Sequence, residues 1–410
     1  GIFNGSVLIT KGGDILINKG YGFKNFETKT TNDPNTIFQI GSVTKQFTST
    51  IILSLAEQGK LSLSDKLNKY FPDFPNADKV TIENLLSHTS GIYNYTNDTS
   101  FMAHDVEKAF NSQMLFAMIK NKALEFEPGS KFSYSNSGYL LLGYIIEKVT
   151  GKKYEQVVRQ QIFTPLKMDH SGFDFTHLKN ADKAIGYNAI TATTATKSKI
   201  VDSSVSFSAG AIFSNLSDLY RWNQSLSTEK ILKKGSIENA FKTRQSKYGL
   251  GWGIDTIEGR RIITHNGGID GFLSHNTIIP ADSISITILS NSLNAKIGQI
   301  SKDVFAILYN KPYKLPEEQK EIAVDSVILK QYVGEYELAP TFKITVTQVN
   351  GGLKAQATGQ PQFDLFAKNE NTFFLKVVDA QVEFIKNDKG EVEKLILHQN
   401  GQNVPGKKVK

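Results

Sequence analysis

Strand-like sequence lies at both ends of a long helical stretch, and this arrangement limits the folds that the chain can adopt. Gly5 to Ile9 and Asp14 to Ile17 are apolar runs around Lys11-Gly12-Gly13, which is typical of a hairpin. From Leu61 to Lys247, helical patterns alternate with Pro- and Gly-marked loops, which predicts an all-helical insertion. Alternating β-branched runs return from Tyr248 to Ser290. We predict an α+β fold in which the two sets of strands share one antiparallel sheet flanked by helices, with a helical subdomain.

A second domain is expected because 410 residues exceed the length that one core usually serves. Residues 311–325 hold Pro312, Pro316 and a run of charges, which suits a solvated linker. Beyond it, short alternating runs such as Phe342-Ile344-Val346 and Phe373-Leu375-Val377 are separated by turn residues. We predict an α+β domain over residues 1–310, a linker over 311–325, and an antiparallel β-barrel-like domain over 326–410.

Composition excludes several classes of function. The formal net charge is +7, but 47 basic and 40 acidic residues are interspersed, so we expect no nucleic-acid partner. Without cysteine the chain has no disulfide framework, thiolate nucleophile or cysteine-ligated metal, and seven scattered histidines predict neither a metal site nor a cofactor. No apolar run reaches the roughly 18 to 20 residues that span a bilayer. The sequence does not define an oligomeric state.

Ser42-Val43-Thr44-Lys45 begins a segment with helical spacing of apolar residues, so a hydroxyl and an amine three residues apart share one helix face. A serine hydroxyl becomes a good nucleophile when a base takes its proton, and a lysine with a lowered pKa can act as that base. The same pattern alone also fits a helix cap followed by an exposed lysine. We predict that Ser42 is an acylated nucleophile and that Lys45 activates it.

Two further groups of residues carry compatible chemistry. Tyr134-Ser135-Asn136 lies on a loop before a helix predicted from about Ser137, where a tyrosine can relay a proton and an amide can orient a carbonyl. His265-Asn266-Gly267-Gly268 follows the strand predicted over Arg261 to Thr264, and its glycines allow a substrate to approach the strand edge. The N–H groups of Gly268 and Ser42 would form an oxyanion hole. A packed tyrosine turn and a strand-end histidine are the structural alternatives.

In this order the three groups resemble the serine β-lactamase and penicillin-binding superfamily, most closely its class C branch of D-alanine carboxypeptidases, D-aminopeptidases and carboxylesterases. Supporting resemblance over about residues 3 to 308 lies in Phe38 to Ser42, Leu85 to Gly91, Tyr134 to Tyr144 and His265 to Phe272. The resemblance implies catalytic roles for Ser42, Lys45 and Tyr134. It implies substrate-binding roles for the residues Asn136, His265, Gly267 and Gly268.

His265 stands where the superfamily has the lysine of its K-T-G box, which weakens the case for efficient β-lactam hydrolysis. A histidine that titrates near neutrality would bind a substrate carboxylate less constantly than lysine does. The region from about Val327 resembles the lipocalin-like appendage of some such hydrolases through Tyr332-Val333-Gly334-Glu335-Tyr336. The resemblance also implies export to the periplasm, cell envelope or medium, although the sequence opens at Gly1 without a signal peptide.

The expected activity is acyl transfer through a Ser42 acyl-enzyme on a peptide or small-molecule substrate. A peptidase on D-amino-acid or cell-wall-type peptides is the leading interpretation, and a carboxylesterase or class C-like β-lactamase is the alternative. A non-catalytic penicillin- or ligand-binding protein is an alternative of another class. Neither Ser42 nor Ser208 has both glycines of G-x-S-x-G, and neither H-E-x-x-H nor a phosphate loop is present. His88 is interpreted as a structural residue in a hydrogen-bonded turn.

Overall fold

The computed structural model describes residues 3–313, 320–376, 380–399 and 402–410. The chain forms two compact units, one ending at Tyr309 and one beginning at Asn310. Residues 314–319 of the predicted linker, which include Pro316, lie outside the described residues, as does Val377 of a predicted strand.

The first unit contains twelve strands among its described residues. They are β1 (Gly5–Lys11), β2 (Asp14–Tyr21), β3 (Phe23–Asn25), β4 (Thr30–Thr31), β5 (Phe38–Gln39), β6 (Tyr187–Ile190), β7 (Ala195–Lys197), β8 (Phe213–Ser214), β9 (Gly253–Ile257), β10 (Arg260–Ile269), β11 (Phe272–Ile279) and β12 (Ile284–Ser290). Six of them form one antiparallel sheet in the order β2-β1-β12-β11-β10-β9. The predicted sharing of one sheet by N- and C-terminal strands is therefore confirmed.

Helices cover most of the sequence between β5 and β9. They are α1 (Thr44–Glu57), α2 (Ile82–Leu86), α3 (Thr99–His104), α4 (Ser112–Lys120), α5 (Asn136–Thr150), α6 (Tyr154–Val158), a π-helical turn (Arg159–Phe163), α7 (Thr164–Leu166), α8 (Ser203–Gly210), α9 (Leu216–Ser225), α10 (Lys234–Phe241) and, after β12, α11 (Ile297–Leu308). The prediction of an all-helical insertion was wrong in one respect. The short strands β6, β7 and β8 interrupt it, because β6 and β7 form a hairpin and β8 pairs with β5.

The sheet lies between two hydrophobic layers. On one face, Leu8 and Leu289 belong to the large core that α1 and α5 also build. On the other face, Val7 and Ile288 pack with Phe305 of α11. Successive residues of β1 thus point to opposite cores, as the period of a strand requires. The central strand β12 is buried throughout, whereas the edge strand β2 is exposed along almost its whole length.

The second unit is a closed antiparallel barrel preceded by α12 (Ser326–Gln331). Its strands are β13 (Gly334–Ala339), β14 (Phe342–Val349), β15 (Gly352–Ala357), β16 (Gln362–Ala367), β17 (Thr372–Phe374), β18 (Ala380–Lys386), β19 (Val392–Gln399) and β20 (Gln402–Lys408). Pairing of β13 with β20 closes the barrel. Its interior is filled by side chains, among which Tyr332 stacks on Phe384 with ring centroids 4.3 Å apart. The barrel core is therefore a packed core.

Candidate active site

Ser42 and Lys45 are held together by a tight turn that leads into α1. Gly41 to Val43 form a 3-10 turn, and α1 begins at Thr44. Gly41 has φ +50°, and a Cβ on it would lie 3.0 Å from the backbone nitrogen of Gly268, so only glycine fits this approach without strain. The predicted position of Ser42 at a helix start is confirmed.

The Lys45 ammonium or amine group makes three polar contacts in a fully buried position. Its Nζ lies 3.0 Å from Oγ of Ser42, 2.8 Å from Oδ1 of Asn136 and 2.8 Å from the carbonyl oxygen of Ala209. The amide and carbonyl oxygens only accept hydrogen bonds, so they take two N–H hydrogens of Lys45. In the third contact Nζ donates to the hydroxyl of Ser42 when it is an ammonium, and its lone pair can accept from that hydroxyl when it is a neutral amine.

Burial strongly favours the neutral form of this group. Removal from water lowers the pKa of Lys45 well below its ordinary value of 10.5, and the structure gives it no carboxylate partner among its described contacts. In its neutral form, Lys45 at 3.0 Å from Oγ can accept the proton of Ser42.

Tyr134 completes the polar cluster from the loop before α5. Tyr134 is 37% exposed, and its hydroxyl hydrogen-bonds with Ser42. Burial raises the pKa of the Tyr134 phenol and the bond with Ser42 opposes the rise only in part. Nζ of Lys45 lies 4.9 Å from the ring centroid. The hydroxyl is therefore a neutral group that can both donate and accept a hydrogen bond.

Asn136 is the first residue of α5, so the end of the helix fixes its side chain. Its backbone N–H donates to Oδ1 of Asn94 at 3.0 Å, and its Nδ2 donates to Oγ1 of Thr96 at 3.1 Å. The remaining amide oxygen accepts from Lys45. The predicted helix start near Ser137 is confirmed within one residue. The structure brings the side chain of Asn136 into contact with Lys45.

His88 supports the Tyr134 loop from beneath. Its Nδ1 accepts the backbone N–H of Ser135 at 3.1 Å, and its carbonyl oxygen accepts the N–H of Ser133 at 2.9 Å. Its ring lies 4.2 Å from the Tyr134 ring, centroid to centroid. Burial is the largest cause that lowers the pKa of His88 well below its usual value. A neutral, buried His88 therefore accepts hydrogen bonds from the backbone N–H groups of both residues that flank Tyr134.

His265 lies within β10 rather than after its end, which corrects the sequence-based expectation. The strand continues because residues up to Ile269 still pair with β11. His265 is 5% exposed, its Nδ1 lies 2.7 Å from the carbonyl oxygen of Asn266, and its Nε2 lies 2.8 Å from the hydroxyl of Tyr248. Because a carbonyl only accepts, Nδ1 carries the hydrogen and Nε2 accepts from Tyr248.

The prediction that His265 titrates near neutrality was therefore wrong. Burial is the largest cause that lowers the pKa of His265 from 6.5 to about 3. The ring is neutral at physiological pH and both nitrogens already have partners. Sequence reasoning also missed Tyr248, since nothing in the pattern around it indicates that a tyrosine 17 residues away would face His265.

The backbone of Gly267 and Gly268 lies beside the Gly41–Val43 turn that contains Ser42. Strands β10 and β11 are joined by the two-residue turn Asp270-Gly271, and the pair closing such a hairpin is hydrogen-bonded while the next pair is not. The N–H of Gly268 therefore points away from β11, towards the side that Gly41 occupies. A Cβ on Gly267 would collide with the carbonyl oxygen of Ile40. The close packing of these two backbones depends on both glycines.

A cavity of about 360 Å³ opens onto this cluster. Ser42, Asn136 and Gly268 line it together with apolar residues and one carboxylate. Its lining residues are Gly41, Ser42, Tyr95, Thr96, Met102, Asn136, Val201, Val205, Ser206, Ala209, Gly210, Gly268, Ile269, Asp270 and Leu293. A larger cavity, of about 760 Å³, lies between α9, α10 and the sheet and contains none of the residues just described. Cavity volume alone therefore does not identify the candidate site, because the larger cavity does not contain Ser42.

Two searches of the described residues gave negative results. No group of three or more His, Asp or Glu side chains in the described ranges is arranged to hold a metal ion. In the same ranges, no helix has the length and apolar character needed to cross a membrane.

Comparison with known proteins identifies relatives along the whole chain. The chain is 31% identical to a penicillin-binding protein of Bacillus subtilis (strain 168), over 97% of this chain and 93% of the relative. It superposes on the octameric penicillin-binding protein homologue from Pyrococcus abyssi with a TM-score of 0.68 and 26% identity, covering 99% of this chain and 96% of that one. A D-stereospecific amidohydrolase from Streptomyces sp. gives 0.66 and 25%, over 76% and 95%.

Family models divide the chain in two. A domain of unknown function (DUF3471) matches residues 318–408, which include the barrel. The beta-lactamase model matches residues 1–303, which contain Ser42, Lys45, Tyr134 and His265. Since this match covers well over half of the sequence, the chain belongs to the β-lactamase family.

Proposed function

We propose that this protein is a serine hydrolase that forms an acyl-enzyme on Ser42 and cleaves peptides or amides of D-amino acids. The arrangement of Lys45 carries the proposal. A fully buried amine whose two hydrogens are taken by Asn136 and Ala209 presents its lone pair to Ser42. The names of two relatives, a penicillin-binding protein and a D-stereospecific amidohydrolase, support the substrate class.

In the proposed mechanism, Lys45 takes the proton of Ser42 as its oxygen attacks the substrate carbonyl. The N–H groups of Ser42 and Gly268 stabilise the negative oxygen, a contribution of about 10² to 10³ in rate per donor. The neutral hydroxyl of Tyr134 gives its proton to the leaving group and takes in exchange the proton that Lys45 removed from Ser42, so both groups return to their starting forms. Water then attacks the acyl-enzyme carbonyl while these groups take its proton, and that proton returns to Oγ of Ser42 as the acid product leaves.

Two features of the structure bear on the alternatives. The barrel interior is filled by its own side chains, which weighs against a ligand-binding role for that core. The neutral His265 lacks the cation that the K-T-G lysine provides, which weighs against efficient β-lactam hydrolysis. A carboxylesterase remains the second candidate, because esters need no charged anchor and the cavity wall is largely apolar. Relatives among penicillin-binding proteins also support the proposal of an exported protein.

Covalent labelling tests the proposal. A fluorophosphonate should form one adduct, which peptide mass spectrometry should locate on Ser42. The variant Ser42→Ala should lose the adduct and the turnover of D-alanyl p-nitroanilide while keeping the wild-type circular dichroism spectrum. Ser208→Ala is the matched control, because this buried serine bonds to the carbonyl oxygen of Tyr139 and lies outside the cluster. Labelling of Ser42→Ala at the wild-type rate would refute the assignment.

A further inference from the structure

The end of α8 lies against α1 at the position of Lys45. The last carbonyl groups of a helix have no partner within that helix, and those of Ser208 and Ala209 accept from side chains of α1 instead. Ala209 accepts from Nζ of Lys45 at 2.8 Å, and Ser208 accepts from Oγ1 of Thr48 at 2.6 Å. Lys45 and Thr48 are three residues apart and share one face of α1. The end of α8 therefore supplies an acceptor to the proposed base.

A backbone conformation that favours glycine lies just before these carbonyls. Phe207 has φ +34° and ψ −129°, which breaks α8 between its first turn and its last. A residue with a bulky side chain is strained in this region. Ser208 to Gly210 form a separate final turn, which the N–H of Ala211 closes by donating to the carbonyl oxygen of Phe207 at 2.9 Å. The direction of the Ala209 carbonyl therefore depends on the backbone of Phe207.

The ring of Phe207 is packed between aromatic rings of α5 and α6. Its centroid lies 5.3 Å from that of Tyr144 and 5.2 Å from that of Tyr154. A Cβ on Gly143 of α5 would lie 2.6 Å from Cε1 of Phe207, so the ring lies directly on the helix backbone. The hydroxyl of Tyr154 is also 2.7 Å from Oγ1 of Thr48, which donates to a carbonyl and so accepts from Tyr154. Strain of this kind persists where the surrounding packing over-determines it.

The direction of the Lys45 lone pair depends on two acceptors. A neutral amine that donates to Asn136 alone can rotate about that one bond, whereas a second bond to Ala209 fixes its orientation. Asn136 is held by its own bonds to Asn94 and Thr96. Loss of the Ala209 carbonyl would therefore leave the amine bonded but let its lone pair turn away from the nucleophile.

We propose that Phe207 is a positioning residue for the base: packing of its ring holds a strained backbone that directs the Ala209 carbonyl onto Lys45. This inference rests on the proposed function, in which Lys45 takes the proton of Ser42. Phe207 is not among the described residues that line the cavity, so its effect passes through Lys45 and not through contact with the substrate.

Two truncations of the same ring test the proposal. Phe207→Ala and Phe207→Gly both remove the packing, but only glycine adopts a positive φ without strain. Phe207→Ala should relax its backbone and slow fluorophosphonate labelling of Ser42 by about 10- to 100-fold, as misplacement of a catalytic group does. Phe207→Gly should be labelled about tenfold faster than Phe207→Ala. It should also unfold at a higher urea concentration, the reverse of the usual order of these residues in a helix.

Equal labelling rates for the alanine and glycine variants overturn the proposal, because a ring that only stabilises the fold predicts equal rates. If neither variant folds, a milder pair decides. Thr48→Val keeps the shape of the side chain but leaves the Ser208 carbonyl without its donor, whereas Thr48→Ser keeps the donor. Thr48→Val should slow labelling about tenfold and Thr48→Ser should retain the wild-type rate. Equal rates in this pair then overturn the proposal.

Failure of this inference can be told apart from failure of the proposed function. Labelling of the wild-type protein that Ser42→Ala abolishes, with equal rates within the variant pair, refutes the positioning role and leaves the proposed function standing. Absence of Ser42-dependent labelling in the wild-type protein refutes both.

Discussion

The buried, neutral His265 should make the first unit sensitive to acid. The pKa of His265 falls from 6.5 to about 3 on folding, so between these values the unfolded chain binds a proton that the folded chain does not. Its contribution to stability is fully present above pH 6.5 and is lost as the pH falls towards 3. Protonation of a free imidazole stabilises the unfolded chain by about 0.2 kcal/mol at pH 7 and about 2.1 kcal/mol at pH 5. His265 alone should therefore lower the free energy of unfolding by about 2 kcal/mol between these pH values.

Urea unfolding at pH 7 and pH 5 measures this difference. Both tryptophans, Trp222 and Trp252, belong to the first unit, so their fluorescence reports on that unit alone. Burial also lowers the pKa of His88 and, to about 4, that of His275, so the wild-type protein should lose more than His265 accounts for. The informative quantity is the change that His265→Gln makes in the loss between pH 7 and pH 5.

His265→Gln should reduce that loss by about 2 kcal/mol, whatever it does to stability at pH 7. Tyr248→Phe is the matched control, because it removes the hydrogen bond to Nε2 but keeps the imidazole. This control should lower the free energy of unfolding by about 1–3 kcal/mol at both pH values. If His265→Gln and the wild-type protein lose the same stability between pH 7 and pH 5, the argument that His265 is neutral because it is buried fails.

Three further predictions concern the nucleophile cluster and the barrel. Lys45→Ala should slow fluorophosphonate labelling by about 10²- to 10⁴-fold, as loss of a general base does, and an unchanged rate would reduce Lys45 to a structural role. His88→Phe keeps an aromatic ring against Tyr134 but leaves the Ser135 N–H without its acceptor. Urea unfolding should show a free energy of unfolding lower by about 1–3 kcal/mol, and fluorophosphonate labelling should be slower. Wild-type stability and labelling would contradict the supporting role of His88. A chain ending at Asn310 should still be labelled by fluorophosphonate, and a folded but unreactive product would show that the barrel completes the site.

Local sequence patterns were sufficient to predict the main elements. The hairpin of β1 and β2, the start of α1 beside Ser42 and the start of α5 beside Asn136 follow from apolar spacing and glycine placement. The closed barrel follows from alternating runs separated by turns. Such patterns reflect contacts between residues that are near in sequence, and these local contacts are sufficient to form the elements named here.

Features that depend on distant neighbours were not predictable. Strand β10 continues past His265 because it pairs with β11 as far as Ile269. Gly267 and Gly268 interrupt the strand-like pattern, so the sequence did not indicate this continuation. Burial of His265 and its bond to Tyr248 are results of tertiary packing, so the reference pKa of histidine was a poor guide.

The contact between Gly41 and the Gly267-Gly268 backbone has an evolutionary consequence. Any side chain at Gly267 would collide with the carbonyl oxygen of Ile40, and one at Gly41 would press on Gly268, so selection can change neither position without first moving a strand. Met102, Val201 and Leu293 line the cavity with side chains, so a substitution there changes the cavity wall without bringing two backbones into collision. We therefore expect changes in substrate range to arise from substitutions in the cavity wall, while the backbone contacts around Ser42 stay unchanged.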